Sequence, residues 1–235
     1  MPGYTRKEFE IKLQKSLLNI DNLYQEDFIN YRGKTTDTKE VYTEIVSEVL
    51  LSNLDIFDNI TTISRKSSYK IPNHYGVTGN DQSNRIEERI ALSMYNKQFD
   101  HIGKVIDYQV PMKNVQGDKN VGKIDLIALK DNALIVLELK KEDSKETLLR
   151  CVLEAATYFR KIHKDKLLRD FADFNINSVE TAVLVFKDKA QHNEYKNEDT
   201  NTRRLMKELK VDMYVIKEYD SIQVFGVALP WRYKQ

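Results

Sequence analysis

Asp125, Glu138 and Lys140 have the types and spacing most suggestive of chemistry in this chain. Asp125 lies in Gly122-Lys123-Ile124-Asp125-Leu126-Ile127-Ala128-Leu129, and Glu138 and Lys140 end the run Ala133-Leu134-Ile135-Val136-Leu137-Glu138-Leu139-Lys140. Both runs are apolar and of strand type, and Lys130-Asp131-Asn132 separates them, so the segment reads as a hairpin. With Asp131-Asn132 as a two-residue turn, Lys130 pairs with Ala133 and Asp125 falls opposite Glu138. A four-residue loop keeps that pairing, and a three-residue loop shifts it by one. Glu138 and Lys140 share a strand face because side chains alternate. Directly opposed residues have Cβ atoms about 4.5–5.5 Å apart. Two carboxylates at about 5 Å repel by roughly 3 kcal/mol at an effective dielectric of about 20. A shared proton, a cationic side chain or a bound metal relieves such a clash. Lys140 supplies part of that relief. A hard divalent ion such as Mg²⁺, which takes one or two carboxylates plus waters, would supply more.

These residues need a scaffold, and the apolar periodicity outlines one. Phe9, Leu13, Leu17 and Ile20 within residues 5–30, and Val41, Ile45, Val49 and Leu50 within 38–54, have helical spacing. Thr38 is a candidate helix start. Residues 61–85 are polar and irregular, with Pro72, Gly76 and Gly79. A helix is expected over 83–97, a strand over 104–112 and the hairpin over 121–140. A helix over 144–163 should start at Ser144, with Thr147 close behind. A short helix over 165–174, a buried strand over 179–186, a helix over 201–209 and strands over 211–217 and 221–228 complete the chain. The order is that of an α/β fold with a mixed central sheet flanked by helices.

The whole chain sets broad bounds. It has 235 residues, 41% hydrophobic and 31% charged, enough for one sizeable domain or a domain with an extension. Lys and Arg total 37 against 36 Asp and Glu, a net charge of +1, so a nucleic-acid partner has to be gripped by local basic patches. Cys151 is the sole cysteine, which excludes an internal disulfide and fits a reducing, cytoplasmic setting. No run approaches the ~18 apolar residues of a membrane span, and no apolar signal core opens the chain. His74, His101, His163 and His192 lack the spacing of zinc ligands, and Gly103, Gly117 and Gly122 are too scattered for a phosphate loop.

Asp125, followed one strand later by Glu138-Leu139-Lys140, resembles the PD-(D/E)xK nuclease superfamily. The helix, three strands, helix, strand order resembles its restriction-endonuclease-like core. The resemblance spans about residues 83–228, with Ile124 in place of the proline that names the motif. It implies a nuclease-like domain over 71–235 preceded by a helical N-terminal extension over 1–70. The first core helix of that family often adds a carboxylate, and Glu87 and Glu88 are the candidates here. Ile86, Ile90 and Met94 define an apolar helix face at 100° per residue. Glu87 falls within that arc and is favoured, whereas Glu88 is expected to point to solvent. The alternative for Glu87 is a pairing with Arg85 or a neighbouring basic residue. Glu154 and Tyr158, four residues apart on one helix face, occupy the place of a Gln-x-x-x-Tyr motif in the RecB-like branch, with Glu154 replacing the glutamine. A plain surface polar pair explains them equally well.

The resemblance implies metal-dependent phosphodiester hydrolysis, with DNA the expected substrate. Asp125, Glu138, the Leu139 carbonyl and Glu87 would hold Mg²⁺ or Mn²⁺. Lys140 would orient or help deprotonate the attacking water, or stabilise the phosphate. Backbone contacts would come from Lys141 and from three basic patches: Arg65-Lys66 with Lys70, Lys187-Asp188-Lys189, and Arg203-Arg204. Apolar faces on the two early helices leave room for a homodimer. The competing expectation is a non-catalytic nucleic-acid-binding or scaffold module on the same fold.

Overall fold

The computed structural model describes residues 3–72, 85–114 and 122–217, and the backbone of 224–226. Its centre is one mixed sheet of seven strands in chain order: β1 (Gln98–Phe99), β2 (Gly103–Pro111), β3 (Lys123–Lys130), β4 (Ala133–Leu139), β5 (Ser178–Phe186), β6 (Val211–Ile216) and β7 (Val224–Gly226). The first four pair antiparallel, β4-β5 and β5-β6 pair parallel, and β7 returns antiparallel. The parallel pairs need helical crossovers. These are α4 (Leu148–Lys161) with α5 (Lys164–Asp170), and α6 (Ala190–Lys196) with α7 (Asn201–Leu209).

The hairpin has the two-residue turn that its sequence implies. Lys130 pairs with Ala133 and Leu126 with Leu137. Asp131 turns the chain at φ 52°, a left-handed conformation that Asp tolerates.

Each face of the sheet is covered. On one side α3 (Ile86–Met94) sets Ile90, Ala91 and Met94 against Leu126, Ile135, Leu137 and Leu184. On the other side α4 lies between the sheet and the N-terminal elements. It is buried nearly all round, through Leu149, Val152, Leu153, Ala156 and Tyr158. Residues 3–60 supply that outer layer. α1 (Arg6–Leu17) starts with a reciprocal cap between Thr5 and Glu8. Two 3-10 turns follow, then α2 (Tyr42–Leu51) and a third 3-10 turn. Phe9, Leu13, Phe28, Tyr42 and Leu50 form one continuous core with Val152, Leu205 and Val215.

Several expected boundaries move. Thr38 does not start α2, which begins after Val41 without a side-chain cap. Instead Thr38 bonds Thr35 and the Glu40 carboxylate. α4 starts at Thr147, whose hydroxyl accepts from Arg150 N–H, rather than at Ser144. Glu194 of α6 also accepts from Leu148 N–H at 2.6 Å, which places a negative charge at the α4 N-terminus. α6 and β1 were not expected from periodicity. The start of the helix expected at Ser83, and the Gly76 and Gly79 positions, lie outside the described residues. Of the strand expected over 221–228, Val224–Gly226 falls within them.

Candidate functional site

Glu138 and Lys140 lie at the carboxyl end of β4, on the face that carries Leu134 and Val136 toward α4. Both are buried, at 6% and 5% exposure. The Lys140 ammonium lies 2.8 Å from the carboxylates of Glu138, Glu146 and Glu154. The ammonium donates hydrogen bonds to Glu138 and Glu154, while Glu146 Oε2 stays within ion-pair distance and accepts no hydrogen bond. Desolvation by itself would favour the neutral amine, but the surrounding carboxylates outweigh it and hold the Lys140 pKa well above the ordinary lysine value. Burial and the neighbouring Glu154 push Glu138 well above the usual carboxylate range, against the pull of Lys140.

Asp125, near the start of β3, sits one residue beyond the last regular β3-β4 pair. There the ladder gives way to a side-chain bond: Leu139 N–H donates to Asp125 Oδ2 at 2.9 Å. The other carboxylate oxygen accepts from the Gln109 side-chain amide at 2.9 Å. Desolvation pushes the Asp125 carboxyl up to about 7, with Glu154 and Glu87 adding to the rise and Leu139 N–H and Lys140 opposing it.

A cleft of about 400 Å³ opens beside Asp125, lined by Arg85, Ile86, Glu87, Glu88, Gln109 and Lys141. Glu87 reaches into it from α3 and accepts from Lys141 N–H at 3.1 Å, so the ion pair with Arg85 is not its contact. Glu88 takes that role, 3.1 Å from Arg85 and 3.5 Å from Lys123, with its side chain 25% exposed. The expectation that Glu88 faces solvent is therefore corrected. The helix is short, and its first turn sits over the end of the sheet, so both glutamates meet neighbours. Lys141 lines the cleft and lies 3.3 Å from Asp143.

Glu154 belongs to the Lys140 cluster and is not a surface residue. Tyr158, one turn further along α4, is buried and its hydroxyl lies 3.5 Å from that of Tyr24. It also packs so close to Gly122 that a Cβ there would fall 2.0 Å from the Tyr158 oxygen.

Several of the proposed backbone-gripping cations have partners of their own. Arg65 is tied to the carbonyls of Ser68 and Lys113 and lies over the Tyr69 ring. Lys70 pairs with Asp173 at 2.6 Å. Arg203 covers the Tyr195 ring, and Arg204 bonds Asn201. Lys66 and Lys187 are exposed, while Lys189 pairs with Glu142 at 2.7 Å. Lys66 is held beside Asn114, just past the end of β2. Lys187 follows the carboxyl end of β5. Both therefore stand at the end of the sheet that carries Asp125 and Glu138. The apolar faces of the early helices are largely turned into the chain's own core through Phe9, Leu13, Ile45 and Leu50, leaving Ile11 and Leu18 exposed.

Two participants were missed by the sequence reading. Glu146 lies in a charged stretch, Lys141-Glu142-Asp143-Ser144-Lys145-Glu146, that looks like solvated loop. Gln109 carries no charge and belongs to no motif.

Hard oxygen donors in a surplus of carboxylates over cations suit Mg²⁺ or Mn²⁺ chemically. Among the described residues no group of three or more His, Cys, Asp or Glu is arranged to hold a metal ion. A Mg²⁺ seat made of one or two carboxylates, waters and a phosphate does not require such a group. His163 and His192 are engaged with backbone N–H groups, and His74 lies outside the described residues. No helix among the described residues is long and apolar enough to cross a membrane. Comparison with protein-family models, with curated proteins and with solved structures gave no match.

Proposed function

We propose that this chain is a metal-dependent nuclease of the PD-(D/E)xK type, with a restriction-endonuclease-like core, acting on DNA. The observation that carries this reading is the meeting of Asp125, Glu138 and Lys140 at one end of the sheet, where acidic groups outnumber the single buried ammonium. Desolvated, mutually repelling carboxylates are costly in an inert scaffold. They are useful where a cation is to be seated.

In this reading Asp125, Glu138 and the Leu139 carbonyl would hold the ion, and Glu87 would contribute from α3. A bound Mg²⁺ or Mn²⁺ supplies charge neutralisation at the phosphate and a more acidic water. Lys140 is held protonated by its neighbours. It therefore acts as a donor that orients the attacking water or steadies the phosphate oxygens, and not as the base. Glu138 is shared between Lys140 and the ion's seat. Were Glu138 to turn toward the seat, Glu154 would keep its hydrogen bond to the ammonium and Glu146 its charge contact. Lys66, Lys187 and Lys141, around the same end of the sheet, suit a phosphate backbone.

A second reading, a non-catalytic nucleic-acid-binding module, draws on the same cage: Lys140 is bonded to Glu138 and Glu154 and paired with Glu146, so it is tied up among carboxylates. Incubation with plasmid and oligonucleotides in Mg²⁺ or Mn²⁺ separates the two. The nuclease reading expects strand scission that Asp125→Ala, Glu138→Ala and Lys140→Ala abolish. Salt-sensitive binding without scission supports the module instead. Scission that survives all three substitutions places the activity elsewhere.

A further inference from the structure

Gln109 combines three features. Its backbone lies at φ 49°. Among the described residues it is the only non-glycine in the left-handed region that lies inside a strand, because the others sit at turns, loops or helix ends. Its side-chain amide donates to Asp125 Oδ1 at 2.9 Å. It also lines the cleft that holds Glu87 and Lys141.

The strand irregularity explains how Gln109 comes to be there. β2 pairs Val105 with Ala128 but Asp107 with Ile127, so one extra residue is inserted at Ile106. With the earlier register unbroken, Tyr108 would face Asp125. After the insertion Tyr108 faces Leu126 and Val110 faces Ile124, which leaves Gln109 opposite Asp125. Bulges of this kind re-aim a side chain and recur beside functional sites. A left-handed glutamine in a strand is strained, and such strain persists only where the surroundings over-determine it. Glycine would adopt that conformation without steric cost.

We infer that Gln109 is a positioning residue: with Leu139 N–H it grips the Asp125 carboxylate and fixes its orientation toward the cleft for a divalent cation. The inference rests on the metal-dependent reading of the site and adds a residue to it. One oxygen of Asp125 is held by β4 through Leu139 N–H and the other by β2 through Gln109. The carboxylate is thus clamped from both neighbouring strands, and each oxygen keeps a lone pair for an ion. Outer-shell partners of this kind orient a ligating carboxylate and are worth about 10–100-fold in metal affinity or activity.

The test uses the full chain and Mn²⁺. Gln109→Gly removes the amide and relieves the backbone, whereas Gln109→Met keeps the length and the backbone strain but cannot donate. Calorimetric Mn²⁺ affinity is expected to fall by about tenfold or more in both variants. The thermal midpoint of metal-free Gln109→Gly is expected to hold or rise. On DNA the loss should appear in kcat more than in KM. A purely structural glutamine would move affinity and stability down together. Mn²⁺ affinities equal to wild type in both variants overturn the inference even if the protein cleaves DNA. Mn²⁺ binding that is lost in Asp125→Ala and weakened in the Gln109 variants, without any cleavage, overturns the nuclease reading and leaves this inference standing. A wild-type chain that binds no Mn²⁺ overturns both.

Discussion

The balance at Lys140 and Asp125 leads to two measurable consequences at the residue scale. Lys140 is the only ammonium within 2.8 Å of Glu138, Glu146 and Glu154 among the described contacts. Lys140→Met leaves Glu138 and Glu154 without their ammonium, while Glu146 keeps Arg150 at 3.0 Å. Breaking a buried pair by removing one partner typically costs about 3–5 kcal/mol, so urea unfolding should show a loss of that order at neutral pH. A loss below about 1 kcal/mol, the range of exposed pairs, would mean that the cage is solvated. Asp125 behaves oppositely. Its carboxyl moves from 3.8 to about 7 on folding. Between those values the metal-free folded chain keeps a proton that the unfolded chain has released. Stability from this group therefore falls as pH rises from about 4 to about 7 and then levels off. Asp125→Asn removes that loss, and Gln109 can turn its amide to suit the new side chain. The variant's thermal midpoint should exceed wild type near pH 8 by about 2–4 °C for each kcal/mol relieved. The gain should vanish near pH 4. Equal midpoints near pH 8 would show that Asp125 ionises without penalty.

At the scale of elements, the site is a junction of strand ends with α3 and α4. The β3-β4 hairpin could be read in advance from its two apolar runs, and the two-residue turn then selected the register over the shift that a three-residue loop would give. The bulge in β2 could not. Ile106 resembles any other strand residue, and the insertion is set by how β2 fits β3. The grouping of Glu154 with Lys140 depended on where α4 crosses the sheet, which helical spacing does not specify. That crossing is close at Gly122, where a Cβ would lie 2.0 Å from the Tyr158 oxygen and 2.6 Å from its Cζ. Gly122→Ala should cost about 1–3 kcal/mol by overpacking, measured by chemical denaturation. Tyr158→Phe in the same chain should recover only part of it, because the ring carbon remains. Full recovery would mean that the hydroxyl alone sets the spacing.

For the whole molecule, residues 1–70 are more than an appendage in packing terms. Phe9, Leu13, Tyr24 and Phe28 share one core with α4, α7 and the sheet, and Glu44 of α2 accepts from the N-terminal N–H groups of α7. Fragment 71–235 would expose the outer face of α4, an apolar surface too large for a soluble monomer. Expressed alone, it should aggregate or lack a cooperative unfolding transition, as followed by circular dichroism and size-exclusion chromatography. A soluble, cooperatively folding fragment would make residues 1–70 dispensable to the fold.

Local pattern carried the α/β class, the hairpin and, given its two-residue turn, the convergence of Asp125, Glu138 and Lys140, because strand alternation and turn length act over a few residues. Only tertiary structure decided that Lys140 would be enclosed by Glu146 and Glu154, that Glu88 would take Arg85, and that Gln109 would face Asp125. Those contacts join segments whose relative placement depends on packing across the whole core. A charged loop residue and a neutral strand residue carry no local mark of such a destination.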